Sequence, residues 1–296
     1  MILMICMLFL AVLPSASSDE WTKTFHLERV AKVRVDTSDA NIHVTSCDCS
    51  EVTARVTTKG WKIGGDGINV IDRQSADQID IEVRYPHHNF QIGWNNRSVD
   101  IELKVPRQAD LDVHTGDGNV DVQGVKGNII LRSGDGNLKL SDLQGTLKAD
   151  TGDGNIDMRN AQGDLTLHTG DGRIEVSGID GSFRAETGDG RVNVNGRFDV
   201  LDVKTGDGGI DAVAVEGSKL ETNWRLNTGD GHLNLAIPAT IAADIELHTS
   251  DGQIDFNLPV MVSGRQSKKE VRGQLNGGGK LLSLRTGDGS IRLEKR

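Results

Sequence analysis

The chain is poor in aromatic residues (4%) and in proline (five), and against that scarcity stand 36 glycines in 296 residues. Helical proteins rarely have this composition, which points to a turn-rich, all-β chain. A basic excess is also missing: the formal net charge is −10. Nucleic acid and an anionic membrane surface both need a basic patch to release counterions, so neither is expected as a partner. No apolar run reaches the roughly 20 residues of a membrane helix. The run Met1–Leu13 (MILMICMLFLAVL) has instead the length of a signal h-region, with small residues Ala16 and Ser18 ahead of Asp19, although no Lys or Arg precedes it. Residues 1–18 therefore read as a signal peptide. Its cleavage would leave no membrane span and place the mature chain in the periplasm or outside the cell, at its surface.

Cysteine is scarce as well. Cys6 lies inside the leader without the small-residue context of a lipoprotein box, which leaves Cys47 and Cys49 in SCDCSE. Two thiols are too few for a structural zinc site. At i, i+2 in an extended strand their Cα atoms would sit near the ~6.8 Å upper limit for a disulfide, so free thiols and a tight local bridge both stay open. No nucleotide-phosphate loop, zinc motif or nucleophile triad is visible, because every Gly-rich match belongs to one repeat.

That repeat is the tetrapeptide [TS]-[GS]-D-G, at 115, 133, 151, 169, 187, 205, 228, 249 and 286, the first six copies spaced by 18 residues. A fixed period near 20 is the mark of a solenoid. Two columns before the turn, headed by Leu111 and Val113, and two after it, headed by Val120 and Val122, are apolar in every copy. The positions between them are polar or charged, with Ile130 the exception. Period-2 alternation on both sides of a glycine turn means half-buried strands. A meander of hairpins would bury one face and leave edges open. Coiling puts all four columns into one narrow core, each coil stacked about 4.8 Å from the last. The fold class is thus all-β, a parallel β-solenoid of about 18 residues per coil.

Its regular part spans 110–296, with an insertion at 263–280 that is basic, Gly-rich and expected to protrude as a loop. Residues 19–109 read as longer, irregular coils of the same solenoid, with strands expected at Lys32–Val35, Val52–Thr57, Ile79–Arg84 and Val99–Val105. Within them Asp36–Val44 parallels TGDGNVDV. Val125, Leu143, Ala161 and Ile179 form a further apolar column at the second turn, which Arg197 breaks.

VDIELKVPRQADLDVHTGDGNVDV (99–122), the iterated GDG turns and GQLNGGGKLLSLRTGDGSIRLE (273–294) resemble the putative-adhesin β-strand-repeat family, a bacterial domain of unknown function. The resemblance covers nearly the whole mature chain and implies an exported β-solenoid; it brings no activity and no site residue.

Stacked coils would align Asp117, Asp135, Asp153, Asp171, Asp189, Asp207 and Asp230, each neighbouring pair repelling by roughly 0.9 kcal/mol in water. The plainer reading makes each Asp a cap that accepts backbone N–H groups of its turn while the second Gly takes a positive φ, with Thr115, Thr151, Thr169, Thr187 and Thr205 adding a hydroxyl ladder. The sharper one makes the carboxylates a Ca²⁺ ladder, since that ion takes carboxylate and carbonyl oxygens. Against calcium, the Asp stands between the glycines and the second turn lacks the Gly-Gly of calcium β-rolls. A polysaccharide-active β-helix would need one unique acidic and basic cluster, whereas Arg173 and Arg191 share their column with Asn119, Asn137, Asn155, Gly209 and Ser290. His114, His168 and His248 fall in a mixed-charge column rather than a metal site. The stretch 85–94 gathers Tyr85, His87, His88, Phe90 and Trp94, which would cap the solenoid or stack on a sugar. The expected protein is therefore an exported, non-enzymatic, adhesin-like or envelope scaffold without a cofactor. Its candidate partners are a glycan or a cell-surface protein, and a calcium-dependent β-roll is the alternative.

Overall fold

The computed structural model describes residues 18–86, 97–262 and 267–296. The described elements are strands throughout, 23 of them in one sheet that winds on itself. Alternation decides this: outward positions are polar, inward ones apolar, and no described helix is long and apolar enough to cross a membrane. The N-terminal strands are β1 (Ser18–His26), β2 (Ala31–Thr37), β3 (Asn41–Cys47), β4 (Glu51–Lys59), β5 (Asn69–Ser75), β6 (Gln78–Arg84) and β7 (Ser98–Pro106). The four expected strands correspond to β2, β4, β6 and β7. Cys47 closes β3 and is bridged to Cys49, with Cα atoms 5.3 Å apart. The chain has left the extended conformation there, which brings the pair within bridging distance.

The middle of the molecule consists of β8 (Ala109–Thr115), β9 (Val120–Gln123), β10 (Lys126–Ser133), β11 (Leu138–Thr151), β12 (Ile156–Thr169), β13 (Ile174–Thr187), β14 (Val192–Thr205) and β15 (Ile210–Ala214). Parallel pairing at the repeat distance aligns Leu147 with Leu165, Leu165 with Phe183 and Phe183 with Leu201. The second turn expected at Arg159–Gly163 does not interrupt the ladder, for β11 to β14 run through it as 14-residue strands. The bend is made by a left-handed residue, Asp142 (φ 55°) or Asn160 (φ 54°), two types that tolerate this conformation. Arg197 breaks the column through a register shift: Gly196 pairs with Ile179, Arg197 with Asp180, and Phe198 turns into the core. Phe198 meets Phe183 and the edge of Trp224, and Arg197 bonds both Asp180 and Asp199.

The C-terminal strands are β16 (Trp224–Thr228), β17 (Leu233–Ile237), β18 (Ala243–Thr249), β19 (Ile254–Phe256), β20 (Val260–Val262), β21 (Glu270–Leu275), β22 (Leu281–Thr286) and β23 (Ile291–Lys295). The 263–280 stretch thus carries a strand, β21, which lies antiparallel on β18 rather than protruding as a loop throughout.

Spatial order departs from chain order at both ends. The last coil, β22–β23, lies between β16–β17 and β18–β19. Likewise β2–β3 lies between β6–β7 and β8–β9. Thr37 pairs with Thr115 and Ile42 with Val120, the alignment that TGDGNVDV suggests. Antiparallel strands then close the stack, β4 on β7 and β5 on β6 at one end, β21 on β18 at the other. All four apolar columns are buried except at Ile254 and Phe256, which belong to the outermost coil, where β19 has a neighbour on one side only.

Candidate functional site

One edge of the solenoid is the line of TGDG turns, and its interior chemistry belongs to threonine. The Thr169 hydroxyl donates to the Gly154 carbonyl of the preceding coil (2.8 Å) and accepts the N–H of Gly172 in its own turn (3.2 Å). Thr187, Thr205, Thr228 and Thr286 repeat this pair of bonds. The hydroxyl is buried in each, so it satisfies two backbone groups that water does not reach.

The second glycine has a different role from the one expected, since none of Gly136, Gly154, Gly172 or Gly190 has a positive φ. A Cβ on Gly154 would lie 2.0 Å from the Gly136 carbonyl oxygen, so glycine is required by how closely the coils approach. The first glycine links coils through its backbone, as where Gly206 N–H donates to Gly188 O (2.5 Å).

The aspartates do not cap these turns, because threonine has taken the N–H groups. Along the stack run Asp39, Asp117, Asp135, Asp153, Asp171, Asp189, Asp207, Asp230, Asp288 and Asp251, all exposed. Among the described residues, only Asp251 has an ion-pair partner, Lys269 at 3.4 Å. The others form an acidic ridge that the fold itself does not bind.

The flanks differ from the ridge. There charges alternate from coil to coil and pair, as in Arg132–Asp112 (3.2 Å) and Lys204–Glu186 (2.8 Å), and His114 Nδ1 lies 3.3 Å from Asp36. The Lys204 hydrogen bond holds the Glu186 carboxyl below its ordinary range. His168 and His248 stand exposed in the same outward column as His114. Beside the ridge runs an amide ladder, Asn155 donating to Asn137, Asn137 to Asn119, Asn119 to Asn41 and Asn41 to Asp100. It ends at Arg173, whose backbone N–H bonds Asn155 and whose guanidinium lies 3.3 Å from Glu175.

A calcium ion would need six to eight oxygens. In each turn the first Gly carbonyl accepts the next coil's N–H and the second accepts a Thr hydroxyl. That leaves one outward carboxylate per coil, and no three His, Cys, Asp or Glu side chains converge among the described residues.

Of the 85–94 candidates, Tyr85 is described, and His87, His88, Phe90 and Trp94 lie outside the described residues. The Tyr85 hydroxyl donates to the Asp39 carbonyl, and its ring meets Trp61 edge-on, centroids 6.2 Å apart. Burial raises the phenol above its ordinary pKa. Sequence reading missed Arg97, whose guanidinium sits 4.3 Å from the Trp61 ring. The hydroxyl ladder is legible in the sequence, but not that its threonines, rather than the aspartates, cap the turns.

The model of the Toastrack DUF4097 family matches residues 30–294, a stretch that includes both 99–122 and 273–294. No curated protein matches the chain significantly. Among solved structures, the chain is similar to a "putative adhesin" from Bacteroides fragilis at 10% identity and TM-score 0.38, over 93% of this chain and 96% of that one. It is also similar to a "putative cell adhesion protein" from Clostridium sporogenes at 12% identity and TM-score 0.28, over 95% and 100%. A "putative lipid binding protein" from Parabacteroides distasonis matches at 12% identity and TM-score 0.37, over 94% and 98%.

Proposed function

We propose, given that the chain belongs to the Toastrack DUF4097 family, that it is an exported, non-enzymatic, adhesin-like scaffold that binds through its acidic ridge. One observation carries this reading: the ridge aspartates recur in coil after coil, yet among the described residues none but Asp251 has an ion-pair partner. Like charges stacked this closely cost stability, and binding a partner would account for their repetition. In the regular coils the same turn recurs, and a uniform ladder is not the unique constellation of groups that catalysis uses. A row of equivalent carboxylates suits a partner met through many weak contacts, whose joint strength rises steeply with their number. A cell-surface protein or a glycan carrying cationic groups has that character.

The test uses residues 19–296 and isolated bacterial envelopes, with binding measured against salt. Replacing Asp117, Asp135, Asp153, Asp171, Asp189 and Asp207 by Asn should abolish binding while the circular-dichroism spectrum is kept. Parent binding should also weaken as salt rises past about 0.15 M, where the Debye length is about 8 Å. Undiminished binding by the variant would refute the role of the ridge, and an unprocessed, cytoplasmic chain in cell fractionation would refute export.

A further inference from the structure

The regular turn fails at one place, where β2 meets β6. In the other coils the turn threonine donates to a glycine or alanine carbonyl of the neighbouring coil, as Thr115 does to Ala40 (3.0 Å). Thr37 occupies the equivalent position, and its neighbouring coil reaches Tyr85 where a turn residue would stand. The Thr37 hydroxyl is 3% exposed and has no hydrogen-bond partner among the described residues. It lines a cleft of about 670 Å³ together with Asp36, Asn69, Glu82 and Tyr85. A smaller cavity of about 300 Å³, lined by Asn41, Trp61 and Arg97, adjoins it across Tyr85.

We propose that this cleft binds a neutral or amino saccharide. Tyr85 is a fixed wall, held by its bond to the Asp39 carbonyl and by Trp61, which Arg97 backs. A phenol ring combines an apolar face for the C–H surface of a sugar with a polar edge. The opposite wall is acceptor-rich. Arg84 bonds Glu82 (2.6 Å) and keeps its carboxyl below the ordinary range, so it is ionised at neutral pH. Asp36 adds a second carboxylate, and Asn69 both donates and accepts. Vicinal hydroxyls fit such acceptors, and a ligand would give the buried Thr37 hydroxyl the partner that no described residue gives it. Its volume falls within the range of small-ligand sites. The carboxylates would repel acidic sugars. The cleft lies at the N-terminal end of the line of turns, apart from the six aspartates replaced in the ridge variant, so either can fail alone.

Isothermal titration of residues 19–296 with maltotriose, a β-1,4-linked glucosamine trimer and trigalacturonate tests this. Binding of maltotriose or the glucosamine trimer, and none of trigalacturonate, is expected. Thr37→Val should weaken binding several-fold while leaving the melting temperature unchanged or higher, because no described residue bonds its hydroxyl. Tyr85→Ala should weaken binding at least tenfold; should it disturb the fold, Asn69→Ala, at an exposed position, reads the opposite wall of the same cleft. The six-Asp ridge variant should bind saccharide as the parent does. Absence of binding by both uncharged and amino trimers, indifference to Thr37→Val and Asn69→Ala, or a site that takes trilysine but no saccharide would each overturn the proposal.

Discussion

The middle of the solenoid and its two ends solve different problems. From β8 to β15 the coils stack in chain order, each pairing with residues 18 positions away, and the same Thr–Gly bonds recur. At the ends the chain doubles back, so that β2–β3 and β22–β23 become interior coils and later or earlier segments cover them. A parallel stack that simply stopped would expose a row of free N–H and C=O groups above an open core. The reordering and the antiparallel strands cover that edge. Repetition therefore builds the scaffold and the ridge, whereas the disulfide, the Trp61–Tyr85–Arg97 cluster and the cleft occur at the N-terminal end, where the repeat is broken.

Deletion should separate the two regions most strongly. Removing 281–296 takes out an interior coil and leaves β16–β17 and β18–β19 without the strands they share. Thermal unfolding should then lose its cooperative transition for the C-terminal third. Excising 151–168, one complete middle coil, should leave a shorter protein with a single transition and an unchanged strand spectrum. Equal damage from both deletions would erase the distinction.

Glycine substitutions should sharpen it at a smaller scale. Gly154→Ala drives a Cβ to 2.0 Å from the Gly136 carbonyl and should cost about 3 kcal/mol through overpacking. Gly65→Ala, in the N-terminal loop, meets nothing within 4 Å and has only its φ of 58° to accommodate, for about 1 kcal/mol. Chemical denaturation of both variants gives the comparison. By the same measurement Thr169→Val, which leaves two buried backbone groups unpaired, should cost about 2 kcal/mol.

The smallest effect should come from the register shift in β14. Hydrogen bonds from Arg197 hold the Asp199 carboxyl below its ordinary value. A lowered folded pKa gives stability that is complete above the unfolded carboxylate pKa of about 3.9 and lost as pH falls through the folded value. Asp199→Asn should therefore lower the melting temperature by a degree or so at pH 7, and the two proteins should converge in acid.

The repeat made the middle legible, since four apolar columns and one turn gave both the coil and its core. The ends were less so. That β22–β23 slots between earlier coils leaves no mark on the sequence, because Leu282 and Leu284 would fit the same column in any stacking order. The turn is legible in place but not in chemistry: Asp accepts N–H bonds readily, yet it is the buried hydroxyl of Thr169 that bonds the two backbone groups in need of a partner. Tyr85 is legible within the 85–94 stretch, and Trp61 as an aromatic on a nearby turn. Their meeting with Arg97 is not, since it depends on how β4 folds back on β7.

The central claim is that threonine and glycine build the turn while aspartate serves the outside. The most direct measurement is the melting temperature of residues 19–296 with Asp117, Asp135, Asp153, Asp171, Asp189 and Asp207 all changed to Asn, each protein measured with Ca²⁺ and with chelator. An unchanged or higher melting temperature, indifferent to Ca²⁺, is the expected result, because only repulsion has been removed. A fall of many degrees, or a Ca²⁺-dependent rise in the parent alone, would contradict it and return the aspartates to the fold.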